Sequence, residues 1–159
     1  MKVLLCCIVK MENNYLDEWI EHHIGLGFDK IVLYDNNDRE GKYEENSGEL
    51  TSVKDGIKVG FVEKIDIDGF GMQIICYNEC YKNNSQSYDW LFFLDADEYF
   101  VTEGFNDVKE FLSQKIFRDY DMIHMPWKIY GDSDLVKSEG DYSTKSRFTY
   151  LEARTPLLS

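Results

Sequence analysis

Short apolar runs alternate with longer amphipathic stretches along this chain, and that order predicts strands alternating with helices. The first run, Lys2–Val9, is apolar at nearly every position, as expected for a strand covered on both faces. A helix should follow, with Asn13 or Asn14 as its cap and with apolar side chains three or four residues apart. Gly25 and Gly27 are expected to end it. The other predicted elements are strands at Asp29–Asp35, Ile57–Ile65, Asp89–Leu94 and Met122–Pro126, and helices at 72–83 and 107–117.

Strands that alternate with helices form a mainly parallel sheet with helices on its faces. We therefore expect an α/β fold in a single domain over residues 1–159. Ligands of such sheets bind beyond the carboxyl ends of the strands. Polar side chains follow the first, second and fourth predicted strands, and these are Lys10, Glu12, Asp35, Asn36, Asp95 and Asp97.

The charge balance excludes several classes of protein. The chain has 17 Lys and Arg residues against 30 Asp and Glu residues, a formal net charge of −13. Its apolar fraction of 43% is sufficient to bury a core, which excludes a disordered chain. No nucleic-acid partner is expected, because binding the phosphate backbone requires a basic surface. If this acidic protein binds phosphate groups, a local cation must lie between the like charges.

The apolar runs and the cysteines indicate the compartment. The longest run, Val3–Val9, is far too short to cross a membrane, so we expect no transmembrane segment and no signal peptide. The four cysteines lack the spacing of a structural zinc site, and the neighbours Cys6 and Cys7 point to opposite faces of a strand. We therefore expect free, buried thiols in a cytoplasmic protein, with a peripheral position at the membrane as the alternative location.

The run Asp89–Leu94, a buried strand by its composition, ends directly in Asp95-Ala96-Asp97-Glu98. In an extended chain Asp95 and Asp97 share a side, because alternate residues of a strand share a face. Two neighbouring carboxylates repel each other, and a divalent cation with oxygen ligands relieves that repulsion. Mg²⁺ or Mn²⁺ would keep further positions for water and substrate phosphates. The motif therefore predicts a metal site with these two carboxylates as ligands.

Two other interpretations of this motif stay open. D-x-D-E also occurs by chance in acidic proteins, as a solvated loop or as the start of a helix. Phosphatases of the haloacid dehalogenase type also have D-x-D after an apolar strand, with the first Asp as nucleophile. In those enzymes the motif follows the first strand and precedes Thr or Val, whereas here it follows the fourth strand and Glu98 comes next.

Four segments of the chain occur together, and in this order, in one group of enzymes. They are CCIVKMENNYLDEWIEHHIGLGFDKIVLYDN at 6–36, the helix with Gln73 and Asn78, DWLFFLDADEYF at 89–100 and WKIYGDSD at 127–134. Together they resemble the nucleotide-binding half of a GT-A glycosyltransferase, near the family-two-like group with a D-A-D-E motif. The resemblance spans most of residues 2–135 and implies the GT-A fold, which is Rossmann-like.

The resemblance also implies roles for individual residues. Asp95 and Asp97 correspond to the pair that binds the metal and the diphosphate, with Glu98 as a ligand or a supporting acid. Asp35 corresponds to an acid that binds the base or the ribose. The other positions implied to contact the nucleotide sugar are Val9, Lys10, Glu12, Asn36, Asp66, Gln73, Asn78 and Trp127.

The implied activity is metal-dependent transfer of a sugar from a nucleoside-diphosphate sugar to a hydroxyl of a carbohydrate or lipid-linked acceptor. UDP is the favoured nucleotide, and Mn²⁺ or Mg²⁺ is the expected cofactor. An inverting enzyme also needs a carboxylate base, which in the resembled family lies well beyond D-x-D. The base is either Asp132 or Asp134, or the chain is a truncated domain that lacks its acceptor-binding part. The alternative function is a module that binds the nucleotide sugar without catalysis.

Overall fold

A computed structural model describes residues 1–12, 15–37, 60–126 and 128, and a parallel sheet is the main feature of this part. The strands are β1 (Val3–Val9), β2 (Lys30–Asp35), β3 (Val62–Asp66) and β4 (Trp90–Phe93). The helices are α1 (Leu16–Gly25), α2 (Gln73–Asn84) and α3 (Val108–Leu112), and a 3-10 helix follows at Lys115–Phe117. None of these helices is long and apolar enough to cross a membrane. The arrangement confirms the predicted α/β, Rossmann-like fold.

Strand β1 lies between β2 and β4, and the described strands have the order β3-β2-β1-β4 with every neighbouring pair parallel. Leu5 of β1 is opposite Ile31 of β2 and Phe92 of β4. The chain steps from β1 to β2 and β3, and then crosses back over the sheet to β4. The strand order therefore reverses between β1 and β4. In α/β sheets the crevice beyond such a reversal is where ligands bind.

Both faces of β1 are buried, as its uninterrupted apolar sequence predicts. One face belongs to a cluster of almost fully buried side chains from β1, β2 and α2, namely Leu4, Cys6, Val32, Tyr34, Cys76 and Cys80. Val3, Leu5 and Cys7 point to the other face, because alternate residues of a strand do so. Two right-handed connections that run in opposite directions along a sheet put their helices on opposite faces. On this rule α1 covers the face opposite α2.

Helix α1 follows the predicted pattern. Its fully buried side chains are spaced three or four residues apart, and they are Leu16, Trp19, Ile20 and His23. Asp17 and Glu18 lie in the first turn, where acidic side chains interact favourably with the helix dipole. The helix ends at Gly25, and Gly27 has a φ of +87°, a conformation that residues with a Cβ rarely adopt. Both glycines were predicted to end this helix.

Strand β4 is an edge strand of the described sheet, so the expectation of a fully buried run is wrong. Its first three side chains are half-buried and Phe93 is 36% exposed. An apolar run of this length is compatible with a central or an edge strand, and the position in the sheet depends on the crossover from β3.

The helix predicted at 107–117 extends only to Leu112. Its start is confirmed, because Asp107 Oδ1 accepts a hydrogen bond of 2.7 Å from a backbone N–H of the first turn. Ser113 Oγ donates to the Lys109 carbonyl at 2.6 Å. Such a bond gives the carbonyl a partner outside the helical ladder and favours the end of a helix.

The chain divides into two compact units, Met1–Arg118 and Asp119–Ser159, and the sheet belongs to the first. Of the second unit, residues 119–126 and 128 are described, and they contain neither a helix nor a strand. The strand predicted at Met122–Pro126 is therefore wrong. A strand needs a neighbour for its backbone groups; none of the described strands pairs with this segment, and Pro126 has no N–H to donate.

The four cysteines are free and buried, as predicted. Cys6 of β1 and Cys80 of α2 form a side-chain hydrogen bond, and this bond together with burial raises the pKa of Cys6 well above its usual value. A protonated, buried thiol acts as a small apolar side chain. Both side chains are fully buried between β1 and α2, so the two cysteines contribute to the packing of α2 on the sheet.

Replacing Leu5 with Ala should lower the free energy of unfolding by about 2–5 kcal/mol, because Leu5 is fully buried and the deletion leaves a cavity in the centre of the sheet. The control is Phe70→Ala, whose ring is fully exposed and whose loss should change stability by less than about 0.5 kcal/mol. Urea unfolding followed by circular dichroism measures both. Equal losses for the two variants would contradict the described core.

Candidate functional site

Acidic side chains lie near one another at the carboxyl ends of β1 and β4, where the strand order reverses. Glu12 follows β1, and Asp95 and Asp97 follow β4, its parallel neighbour. Partial burial raises the pKa of Glu12, and the charges of Asp97 and Asp95 raise it further. The structure thus brings together three of the predicted site residues, from two separate strands.

The segment Asp95–Glu98 is a hydrogen-bonded turn. The Glu98 backbone N–H donates to the Asp95 carbonyl at 3.0 Å, and Glu98 Oε2 accepts from the Asp95 backbone N–H at 3.0 Å. The expectation of an extended D-x-D is therefore wrong, because the carboxylate of Glu98 folds back on the chain and closes the turn. Asp95 and Asp97 are nevertheless both exposed, and Ala96 between them is buried.

No described basic side chain neutralises this group of acids. Lys10, the nearest lysine in sequence, is exposed and forms no ion pair with a described residue. The same acids act on the buried thiol of Cys7. Burial is the largest cause of its raised pKa, and the charges of Asp95, Glu12, Asp97 and Glu98 raise the pKa further. The end of β1 is therefore a region of negative potential.

Two side chains of α2 orient the first carboxylate. Gln73 Nε2 donates to Asp95 Oδ1 at 2.9 Å, and the Tyr77 hydroxyl donates to the same oxygen at 3.3 Å. Burial raises the pKa of Tyr77, so the hydroxyl keeps its proton for this bond. Gln73 was among the predicted site residues, whereas Tyr77 was missed. The spacing of four residues, which puts two side chains on one side of a helix, is the signal that could have found it.

Asp35, at the end of β2, is almost fully buried. Its Oδ1 accepts from the backbone and side-chain nitrogens of Asn37 at 3.1 and 2.7 Å, and its Oδ2 accepts from Lys64 Nζ at 3.2 Å. Lys64 also donates to Asp66, which is exposed. Partial burial alone would lower the pKa of Lys64, but the hydrogen bonds to Asp66 and Asp35 outweigh this effect and raise the pKa. Asp66 is therefore the acid of this pair that a ligand can reach.

The loop before α2 is tied to the end of β2. Asn36 Nδ2 donates to the Gly69 carbonyl at 3.0 Å, and the Asn36 N–H donates to the carbonyl of Val9 at 2.9 Å. Val9 is almost fully buried, so its backbone rather than its side chain faces this edge. Asn36 thus links the ends of β1 and β2 to the loop that leads to Gln73.

Asn78 lies on another side of α2. It borders a depression on the exposed surface of the helix together with Ile75, Glu79 and Lys82. The described hydrogen bonds from α2 to Asp95 come from Gln73 and Tyr77, and the structure does not bring Asn78 to the carboxylate turn.

Helix α1 contacts the chain that follows the turn. Trp19 Nε1 donates to the Glu98 carbonyl at 2.8 Å. His22 Nε2 lies 2.6 Å from the Phe100 carbonyl oxygen, and the Phe100 N–H donates to His23 Nε2 at 3.2 Å. None of these contacts has a signal in the local sequence, because about 80 residues separate the partners.

The atoms of the turn that could bind a metal ion are the carboxylate oxygens of Asp95 and Asp97, which are hard ligands. Within the described residues, no group of three or more His, Cys, Asp or Glu side chains is arranged to hold a metal ion alone. Two exposed carboxylates in a region of negative potential do fit Mg²⁺ or Mn²⁺, which bind through one or two carboxylates and complete their coordination with water and phosphate oxygens. The N-cap residue of α1 is Tyr15, so the prediction of Asn13 or Asn14 as the cap is wrong. Asn13 and Asn14 themselves, residues 57–59 of the third predicted strand, and Trp127, Asp132 and Asp134 lie outside the described residues.

The raised pKa of Glu12 predicts an effect on stability. Its folded-state pKa is above the unfolded value, so the ionised form at neutral pH destabilises the fold, and the effect disappears below the unfolded pKa of about 4.3. Glu12→Gln should therefore raise Tm by roughly 1–3 °C at pH 7 and by less at pH 4. Thermal unfolding at both pH values measures this, with Glu79→Gln on the exposed surface of α2 as the charge-matched control. A gain that is equal at the two pH values would contradict the repulsion.

One comparison with known proteins gives a match. The model for "Glycosyltransferase family 92" matches residues 2–153. No curated protein and no solved structure matches the chain. The match confirms the expected glycosyltransferase, but it supports family 92 rather than the family-two-like group that the D-A-D-E motif suggested. Because the match covers nearly the whole chain, the protein belongs to glycosyltransferase family 92 and is a glycosyltransferase.

Proposed function

We propose that this glycosyltransferase transfers a sugar from a nucleoside-diphosphate sugar, with UDP as the favoured nucleotide, and that a divalent cation bound by Asp95 and Asp97 is required. The observation that carries the proposal is the pair of exposed carboxylates at the reversal between β1 and β4, with no described basic side chain paired to them. A diphosphate is repelled from such a site unless a cation lies between the charges.

The hydrogen bonds of Asp95 support its role as a ligand. Gln73 and Tyr77 both donate to Oδ1, which leaves Oδ2 for the cation. When bound, Mn²⁺ or Mg²⁺ would neutralise the charge that develops on the departing diphosphate. Glu98 supports the site indirectly, because its carboxylate accepts from the Asp95 backbone N–H and so maintains the turn.

The nucleoside would bind along the edge formed by the ends of β1, β2 and β3. Asp66 is exposed there and can accept hydrogen bonds from a base or a ribose. Asp35 is buried, so it would act through Lys64, which it shares with Asp66. Asn36 and the exposed Lys10 lie next to this edge and are further proposed binding residues.

The proposed acceptor is a hydroxyl of a carbohydrate or lipid-linked acceptor. Asp132 and Asp134 stay the candidates for the base that removes its proton, and Trp127 stays a candidate for the sugar site. These assignments rest on the resemblance of the WKIYGDSD segment.

The cation site is tested by Asp95→Asn and Asp97→Asn, which keep the side-chain size and remove the charge. Each should weaken the binding of UDP in the presence of Mn²⁺ at least tenfold, or about 1.4 kcal/mol, as measured by calorimetry. Asp89→Asn, at the opposite end of β4, removes the same charge and should leave the binding unchanged. Equal binding of UDP to the wild-type chain with Mn²⁺ and with a chelator would overturn the proposal.

A second pair of variants tests the orientation of Asp95 by α2. Gln73→Ala removes one hydrogen bond to a carboxylate and should weaken the Mn²⁺-dependent binding of UDP by about 3- to 15-fold. Asn78 lies on another side of the same helix, so Asn78→Ala should have little effect on this binding. Calorimetry with both variants also tests the sequence-based role of Asn78, since a loss as large as that of Gln73→Ala would mean that Asn78 contacts the donor.

A further inference from the structure

Two consecutive histidines bind both backbone groups of one residue beyond the carboxylate turn. The Phe100 carbonyl accepts from His22 Nε2 at 2.6 Å, and the Phe100 N–H donates to His23 Nε2 at 3.2 Å. Phe100 lies outside the described strands, where a neighbouring strand would have supplied such partners. The two imidazoles therefore supply the hydrogen-bond donor and acceptor that a paired strand would supply to a residue in a sheet.

The hydrogen bonds also determine the proton positions on both rings. His23 Nδ1 lies 2.7 Å from the carbonyl oxygen of Trp19, which can only accept, so Nδ1 carries the proton and Nε2 accepts from Phe100. His22 must carry its proton on Nε2 to donate to the Phe100 carbonyl. The rings of His22 and His23 also meet edge to face at 4.8 Å. Each imidazole thus has one specific donor or acceptor role toward the same residue.

The turn is held at both of its ends. On one side Leu94 donates its N–H to the Cys6 carbonyl of β1 at 3.3 Å. On the other side the three side chains of α1, which we call the α1 clamp (Trp19, His22 and His23), bind the backbone of residues 98 and 100. Asp95 and Asp97 lie between these two attachments.

We propose that the α1 clamp positions the carboxylates of Asp95 and Asp97 for the divalent cation. The inference rests on the proposed function, because it assigns these residues to the same cation site. Two like charges on an exposed turn repel each other and would separate without a restraint on the backbone. Mg²⁺ in particular requires near-ideal geometry, so a small displacement of one carboxylate lowers its affinity.

His22 differs in its burial from the other two side chains of the α1 clamp. Trp19 and His23 belong to the buried stripe of α1, but His22 is only half-buried and lies beside that stripe. The burial of an imidazole is favourable only when its polar atoms find partners. One partner of His22 is the Phe100 carbonyl, in the backbone next to the carboxylate turn, and this bond assigns His22 a positioning role.

The test compares His22→Leu, which removes the donor, with His22→Gln, which offers an amide donor at a similar distance. In the full chain, His22→Leu should weaken the Mn²⁺-dependent binding of UDP about tenfold, the lower end of the range for residues that support metal ligands. His22→Gln should stay within about threefold of the wild type. Hydrogen exchange of the segment 95–100 should become faster in His22→Leu and stay near the wild-type rate in His22→Gln, with exchange of β2 unchanged in both.

The outcomes separate the two proposals. Absence of Mn²⁺-dependent UDP binding in the wild-type chain overturns the proposed function and with it the cation role of the clamp. Wild-type binding that is unchanged in a folded His22→Leu variant overturns the clamp alone, and so does unchanged exchange of residues 95–100. If His22→Gln binds UDP as weakly as His22→Leu does, the clamp proposal is also overturned. Recovery of binding by a side chain that can donate a hydrogen bond is what distinguishes a positioning role from packing. If the Leu side chain prevents folding, His22→Ala takes its place with the same expectations.

Discussion

Repulsion among the carboxylates at the ends of β1 and β4 is the constraint on which the chemistry of the site depends. Glu12, Asp95 and Asp97 are close enough for the charges of the two aspartates to raise the pKa of Glu12, and no described Lys or Arg forms an ion pair with any of them. A raised pKa means that the ionised form is disfavoured in the folded chain. A cation at the proposed site would relieve this repulsion.

The carboxylates at the ends of β2 and β3, in contrast, have a basic partner. Asp35 and Asp66 are neighbours in the sheet, and Lys64 binds both of them, so that edge carries its own cation. Two pairs of acids thus occupy one edge of the same sheet, and only the pair after β4 is left without a described basic partner. Among the described residues, the fold therefore supplies a basic side chain to the acids after β2 and β3 but none to the acids of the D-A-D-E turn, which is the arrangement that the proposed cation site requires.

How far the sequence predicts this structure depends on how local each signal is. Strands β1 and β2 and helix α2 were predicted to within one residue at each end, because periodicity and apolar runs are read within a few positions. The edge position of β4 and the fold-back of Glu98 depend on tertiary packing and turn closure. Lys64 is 29 residues from Asp35, and His22 is 78 residues from Phe100, so no local pattern indicates either bond. The candidate site residues come from resemblance and strand topology, whereas the hydrogen bonds that support them had no such signal.

The supporting bonds come from two helices that approach the same turn in different ways. Side chains of α2 bind the carboxylate of Asp95, whereas side chains of α1 bind the backbone that follows it. The first kind of bond orients one ligand, and the second kind sets the position of the whole turn. Both follow from the strand order, since α1 and α2 belong to crossovers that run in opposite directions and therefore lie on opposite faces of the sheet. The reversal between β1 and β4 that opens a ligand crevice thus also brings a helix from each face to the carboxylates beside it.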